Sequence, residues 1–329
     1  MSITKMQKRG FITLIACTLS SMLSAQCPTT TYNIPDTICA GDVFSVTNSG
    51  SSSSSYLWDF CAGEIKGSPN TSSTYSAGSG SLGSDIILEN GNWYVFVANN
   101  GSISKFDFGN SLSNVPTHTN LGSFGGLMTQ ASDIKFANDN GTWYALVPSW
   151  QNRITRLTFG NSVANVPTAN QMVITSSNFN FPYNMTLEYD NGNYVALTAN
   201  LIGNFITVAD FGTTLANDTP AVSTIAITGT ATVGVAAAKD CGNWYAFVTH
   251  ANSSTMNKIE FGNSLSNVPS SVTDISASGD LFSSRQIELV RENGEWIAFT
   301  VDGGGTILKR LNFGSSLDSI PVYSSTPGY

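Results

Sequence analysis

The chain has 329 residues and a formal net charge of −8, and charged side chains make up only 11 % of it. A soluble domain averages about 25 % charged residues, so a charge-rich disordered chain and a coiled coil are both excluded. The acidic balance argues against nucleic acid and anionic lipid as partners, which need clustered Lys and Arg, and two histidines, His118 and His250, exclude a His-rich metal site.

The N-terminus reads as an export signal. Lys5, Lys8 and Arg9 precede an apolar stretch from Phe11 to Leu23, which ends in Leu23-Ser24-Ala25-Gln26. A basic region, an apolar region and a small-residue cleavage site predict removal of residues 1–25. The stretch is too short, and too rich in Ser and Thr, to make a good membrane span. Leu14-Ile15-Ala16-Cys17 also resembles a bacterial lipobox, so a lipid anchor stays open. Export leaves Cys27, Cys39, Cys61 and Cys241 in an oxidising compartment. Four cysteines allow three pairings; Cys39 with Cys61 is the favoured one, because both flank one short β-rich segment.

Residues 26–84 form the next region. Ser49 to Ser55 and Gly67 to Ser84 are rich in Ser and Gly and read as linkers. Between and before them, Val43-Phe44-Ser45-Val46 and Tyr56-Leu57-Trp58-Asp59-Phe60 carry strand signals.

From residue 85 onwards the chain repeats itself. Asn90-Gly91-Asn92-Trp93-Tyr94 returns as Asn140-Gly141-Thr142-Trp143-Tyr144, Asn191-Gly192-Asn193-Tyr194, Cys241-Gly242-Asn243-Trp244-Tyr245 and Asn293-Gly294-Glu295-Trp296. The aromatic of this motif recurs every 50 to 52 residues. A second motif keeps phase with it: Phe108-Gly109-Asn110-Ser111-Leu112-Ser113-Asn114-Val115-Pro116 recurs from Phe159 and from Phe261, with weaker copies from Phe211 and Phe313.

Each unit reads as four strands. A short apolar strand such as Asp85-Ile86-Ile87-Leu88 comes first. Asn-Gly supplies a two-residue turn whose central residues need positive φ. The aromatic run is a buried strand, followed by an alternating strand that ends at Phe-Gly. Asn-Ser-Leu-Ser-Asn is a surface loop, and Pro opens the outermost strand, where a missing N–H does least harm. Asp139-Asn140 and Asp190-Asn191 read as hairpin-turn residues. Units of about 50 residues with four strands each predict an all-β chain folded as a β-propeller. A string of sandwiches is excluded, because one sandwich needs roughly 100 residues.

Five copies predict five blades over residues 85–323. A partial sixth copy, Tyr56 to Cys61 aligned with the strand Ser104 to Gly109 and followed by Pro69, leaves six as the alternative.

Ile38-Cys39-Ala40-Gly41-Asp42 followed by Tyr56-Leu57-Trp58-Asp59-Phe60 resembles the PKD-type, immunoglobulin-like modules of secreted surface proteins in Bacteroidetes. The Asn-Gly-x-Trp-Tyr and Phe-Gly-Asn-Ser-Leu units resemble the propellers found beside such modules. The resemblance implies an Ig-like segment within residues 26–84, a propeller over 85–329, and secretion or surface exposure.

Propeller ligands usually sit at the axis, where the innermost strands begin. The repeat alignment places Asp85, Asp133, Asn184 and Arg285 there, with little that is polar at Val235. Two carboxylates, an amide and a guanidinium could bind a sugar, or calcium through oxygen ligands. Asp85 and Asp133 could also form the acid and base pair of a glycosidase. No other catalytic set is visible. There is no Gly-x-Ser-x-Gly elbow and no Cys/His pair, and Gly303-Gly304-Gly305 lacks the Lys-Ser/Thr and the helix of a phosphate loop. The expected protein is a monomeric, secreted or cell-surface propeller that binds an extracellular glycan or protein without a cofactor and without catalysis. The alternative is a secreted polysaccharide hydrolase or lyase that uses carboxylates at the axis.

Overall fold

The computed structural model describes residues 32–33, 47–48, 74–172, 176–275, 281, 283–303 and 307–327. The expected signal, the PKD-like stretches around Ile38 and Tyr56, and Cys39 and Cys61 lie outside these residues. Two compact units divide the chain at Ala62. In the first, β1 (Tyr32–Asn33) and β2 (Thr47–Asn48) pair antiparallel.

The second unit is a five-bladed β-propeller of four-stranded antiparallel sheets. Blade 1 holds β3 (Gly83–Glu89), β4 (Asn92–Asn99), β5 (Ser102–Gly109) and β6 (Thr117–Asn120). Blade 2 holds β7 (Lys135–Asp139), β8 (Thr142–Ser149), β9 (Arg153–Gly160) and β10 (Thr168–Gln171). Blade 3 holds β11 (Pro182–Asp190), β12 (Asn193–Asn200), β13 (Phe205–Gly212) and β14 (Ala221–Ala226). Blade 4 holds β15 (Thr232–Asp240), β16 (Asn243–His250), β17 (Met256–Gly262) and β18 (Ser271–Asp274). Blade 5 holds β19 (Ser284–Glu292), β20 (Glu295–Asp302), β21 (Ile307–Gly314) and β22 (Val322–Pro327). Within each blade, strands adjacent in sequence are adjacent in the sheet. One short 3-10 turn at Ser176–Asn178 is the sole helical element among the described residues.

Both repeated motifs have a local cause. The Asn-Gly pair turns the chain with both residues left-handed, as at Asn140 (φ 50°) and Gly141 (φ 87°). In blade 4 Cys241 holds the same conformation. At the Phe-Gly motif the third strand bulges: Trp93 faces Gly109, Tyr94 faces Asp107, and Phe108 is skipped. The last Asn of the loop motif then returns to the carbonyl of that Phe. Asn114, Asn165, Asn217 and Asn267 all donate this bond, at 2.8–3.0 Å.

Apolar side chains fill the spaces between blades. Phe96 meets Phe159 edge-on across blades 1 and 2. Tyr144 and Leu146 meet Phe211 across blades 2 and 3. Leu197 and Val208 meet Trp244 and Phe261 across blades 3 and 4. Phe247 packs on Phe313, with ring centroids 4.7 Å apart, across blades 4 and 5. Among the described residues no such cluster joins blade 5 to blade 1. There Gln286 Nε2 donates to the Leu82 carbonyl at 3.2 Å, and Ile86 is 50 % exposed.

In blades 1 to 4 a carboxylate just before the turn fastens the next blade. Glu89 Oε2 accepts from the Ser162 hydroxyl and the Val163 amide, at 2.7 and 3.2 Å. Asp139, Asp190 and Asp240 accept the amides of Leu215, Leu265 and Leu317 in turn, each at 3.0 Å. Asp139 and Asp190 therefore do more than shape their hairpins.

Candidate functional site

The five inner strands β3, β7, β11, β15 and β19 surround the axis. Three of the four residues expected there form a chain of bonds from blade to blade. Asp85 Oδ2 accepts the Phe136 amide at 2.8 Å. Asp133 Oδ2 accepts the Met185 amide at 2.9 Å and the Asn184 side-chain amide at 2.7 Å. Asn184 Oδ1 then accepts the Val235 amide at 2.8 Å. Asp133 has no exposed surface, and Asn184 has almost none. Arg285 stands apart from these three. Its carbonyl accepts the Thr249 hydroxyl, and its guanidinium lies against Gly303.

Close approach requires glycine at two inner positions. A Cβ on Gly83 would lie 2.3 Å from Asp133 Oδ1, and one on Gly234 would lie 2.6 Å from the Arg285 carbonyl oxygen.

A second layer lies further along the channel. Lys135, on β7, places its Nζ 3.8 Å from Asp133 Oδ1 and 3.9 Å from Glu288 Oε1 on β19. Glu188, on β11, accepts the Thr186 hydroxyl at 2.5 Å. Blades 2, 3 and 5 thus converge on one ammonium. Burial pushes Glu188 up to about 7; Glu288 adds like charge, while Thr186 and Lys135 pull it back. Burial likewise pushes Asp133 up to about 6, and raises Asp85. Burial works against charge on Lys135, but Asp133, Glu288, Asp85 and Glu188 outweigh it and hold its pKa above the usual lysine value.

Lys135, Glu188 and Glu288 were missed by the sequence alignment, although the signal was there. Asp85 lies eight residues before its repeat aromatic, and so do Lys135, Thr186, Ala236 and Glu288. Six residues before the aromatic, four repeats carry Ile87, Ala137, Ala238 and Val290, while the third carries Glu188. Asp133 and Asn184 belong to a different layer from Asp85. Among the described residues, no three His, Cys, Asp or Glu side chains are grouped so as to hold a metal ion.

The arrangement can do acid–base chemistry. Glu188, a carboxyl that keeps its proton near neutrality, and Glu288, an exposed carboxylate, act on the same lysine. Such separation of two acids by environment divides the roles of proton donor and proton acceptor.

No protein-family model and no curated protein matches the sequence. Solved structures do match the fold. A functionally unknown protein from Desulfotomaculum acetoxidans superposes with a TM-score of 0.51 and 19 % identity, over 76 % of this chain and 73 % of that one. An exo-β-1,3-galactanase from Phanerochaete chrysosporium, solved with galactose, superposes with a TM-score of 0.50 and 13 % identity, over 76 % and 67 % of the two chains.

Proposed function

We propose that the protein is an exported hydrolase that cleaves a glycosidic bond of a polysaccharide at the propeller axis. The cluster of Glu188, Lys135 and Glu288 carries this reading. Glu188 keeps its proton near neutrality and donates it to the departing glycosidic oxygen. Glu288 is exposed, and its Oε1 lies 3.9 Å from the Lys135 ammonium. Glu288 takes the proton from water as the water oxygen bonds to the anomeric carbon. Asp85, Asp133 and Asn184 hold neighbouring blades together around this pair. The likeness in fold to an exo-β-1,3-galactanase supports the choice of a glycan as substrate.

The other reading is a propeller that binds a glycan or protein without cutting it. It is favoured by one observation: Asp133 is buried with both oxygens bonded inside the fold, Oδ2 to the Asn184 and Met185 amides of blade 3 and Oδ1 to the neighbouring Ile134 amide. Release of reducing ends from a panel of neutral and acidic polysaccharides separates the two. The hydrolase reading expects products from the wild type and a loss of at least about a hundredfold in Glu188→Gln. Binding without product contradicts it, and equal turnover in Glu188→Gln contradicts the part given to Glu188.

A further inference from the structure

The internal repeat distinguishes framework from function on one face of the propeller. At the end of the second strand of each blade stands the residue seven positions after the repeat aromatic. These residues are Asn100, Trp150, Leu201, Ala251 and Gly303. The amides of Trp150, Leu201 and Ala251 each donate to the carbonyl of a left-handed residue, Gln130, Phe181 and Ala231 respectively. The backbone role is shared, so it does not demand tryptophan. Only blade 2 spends an indole there.

Trp150 stacks on Tyr183 of β11, with ring centroids 5.8 Å apart and planes 19° from parallel. Its indole N–H has no acceptor among the described residues. A cavity of about 100 Å³ opens beside it, lined by Gly80, Leu82, Asn100, Gln130 and Trp150. Gly80 is the blade 1 counterpart of Gln130, and a Cβ there would lie 2.9 Å from the Asn100 Cβ. Leu82 sits at the channel mouth, since its carbonyl takes the bond from Gln286 that spans blades 5 and 1.

The geometry points to a subsite for one neutral hexopyranose unit, seated on Trp150 at the mouth of the channel. This inference rests on the glycan reading above and specifies what enters first. An aromatic face suits the apolar C–H face of a sugar ring, and the Asn100 and Gln130 amides offer both donors and acceptors to hydroxyls. No charged side chain lines the cavity, so nothing there repays the desolvation of a uronate. Ligand pockets for drug-sized molecules start near about 300 Å³. A cavity a third of that size takes a single ring or its edge, not a length of chain.

Calorimetric titration of the full chain with methyl galactoside, methyl glucoside and methyl glucuronide tests the assignment. At least one neutral glycoside is expected to bind and the glucuronide to bind about tenfold more weakly or not at all. Trp150→Ala is expected to weaken the neutral sugar about tenfold, with Trp150→Phe recovering part of the loss. Gln130→Ala provides an independent variant should Trp150→Ala fail to fold. Glu188→Gln is expected to bind the sugar as the wild type does, which separates this site from the proposed chemistry. No binding of any neutral glycoside, unchanged binding in both Trp150→Ala and Gln130→Ala, or preference for the glucuronide overturns the subsite. Lost turnover in Trp150→Ala together with intact turnover in Glu188→Gln overturns Glu188 as the proton donor and leaves the subsite standing.

Discussion

Asp139 and Leu215 lie 76 residues apart in the chain, yet Asp139 Oδ2 accepts the Leu215 amide at 3.0 Å and the Thr214 hydroxyl at 2.6 Å. The carboxylate belongs to the turn of blade 2, and the loop it holds belongs to blade 3. Leu215 is fully buried as a result. Replacing Asp139 with Ala leaves a buried amide and a hydroxyl without their acceptor, which costs roughly 2–3 kcal/mol. Urea unfolding is expected to show that loss, with Asp139→Asn recovering part of it. A variant as stable as the wild type would remove the clamp from the account.

Two glycines separate steric from conformational cost. Gly83 faces Asp133, and an added Cβ would come within 2.6 Å of the Asp133 Cα. Gly83→Ala must therefore push blades 1 and 2 apart, at a cost of about 1–3 kcal/mol. Gly192 has open space around it but a φ of +90°. Gly192→Ala is expected to cost about 1–2 kcal/mol through the backbone alone. Thermal melts compare the two. Gly83→Ala should also disturb the axial carboxylates, whereas Gly192→Ala should leave them intact.

Stability should depend on pH through the axial cluster. Glu188 and Asp133 have pKa values raised by burial to about 7 and about 6. The folded chain then binds more protons than the unfolded chain above the ordinary carboxylate range, near about 4. Their contribution declines as pH rises from there to about 7. Asp190 works in the opposite sense: burial would raise it, but polar neighbours led by Ser264, with the Leu265 amide and Lys239 bonded to it, prevail and lower its pKa. Its contribution is lost as pH falls into the acid range. Burial also lowers the pKa of His250, which costs stability once the unfolded imidazole charges below about 6.5. The difference between Glu188→Gln and wild type isolates the glutamate. That variant is expected to gain stability relative to wild type between about pH 4.5 and pH 7.5. A constant difference across this window contradicts the assignment.

Among the described residues the ring is fastened unevenly. Four blade pairs share a buried apolar cluster, while the described contact between blades 5 and 1 includes the bond from Gln286 to Leu82. Local opening follows the places with least apolar burial. Hydrogen exchange is expected to release β3 and β19 before β11 and β15. The reverse order would contradict this reading of the seam.

Much of the architecture was legible in the sequence. Asn-Gly pairs encode turns through their φ requirement, and the phase between Trp-Tyr and Phe-Gly motifs encodes blade size. Those signals are local, so one strand suffices to read them. The clamp from Asp139 to Leu215 joins two motifs of different repeats, and only the closed stack reveals it. The axial site was half legible. Asp85, Asp133 and Asn184 do reach the inner strands, but β11, β15 and β19 carry register shifts near their starts while β3 runs regularly. Setting Asp85, eight residues before its aromatic, beside Asp133 and Asn184, ten before theirs, merges two layers. Lys135 and Glu188 were lost in that merger. Trp150 lies outside both repeated motifs, and its place beside a glycine of the preceding repeat depends on packing between blades.

The proton on Glu188 is the feature on which the proposed chemistry turns. Carbon-13 carboxyl NMR on the full chain, with Glu188→Gln to assign the signal, measures it directly. The account predicts an inflection at about 7, shifted higher still in Lys135→Met. A Glu188 signal that titrates with ordinary carboxylates, near about 4.3, would contradict it.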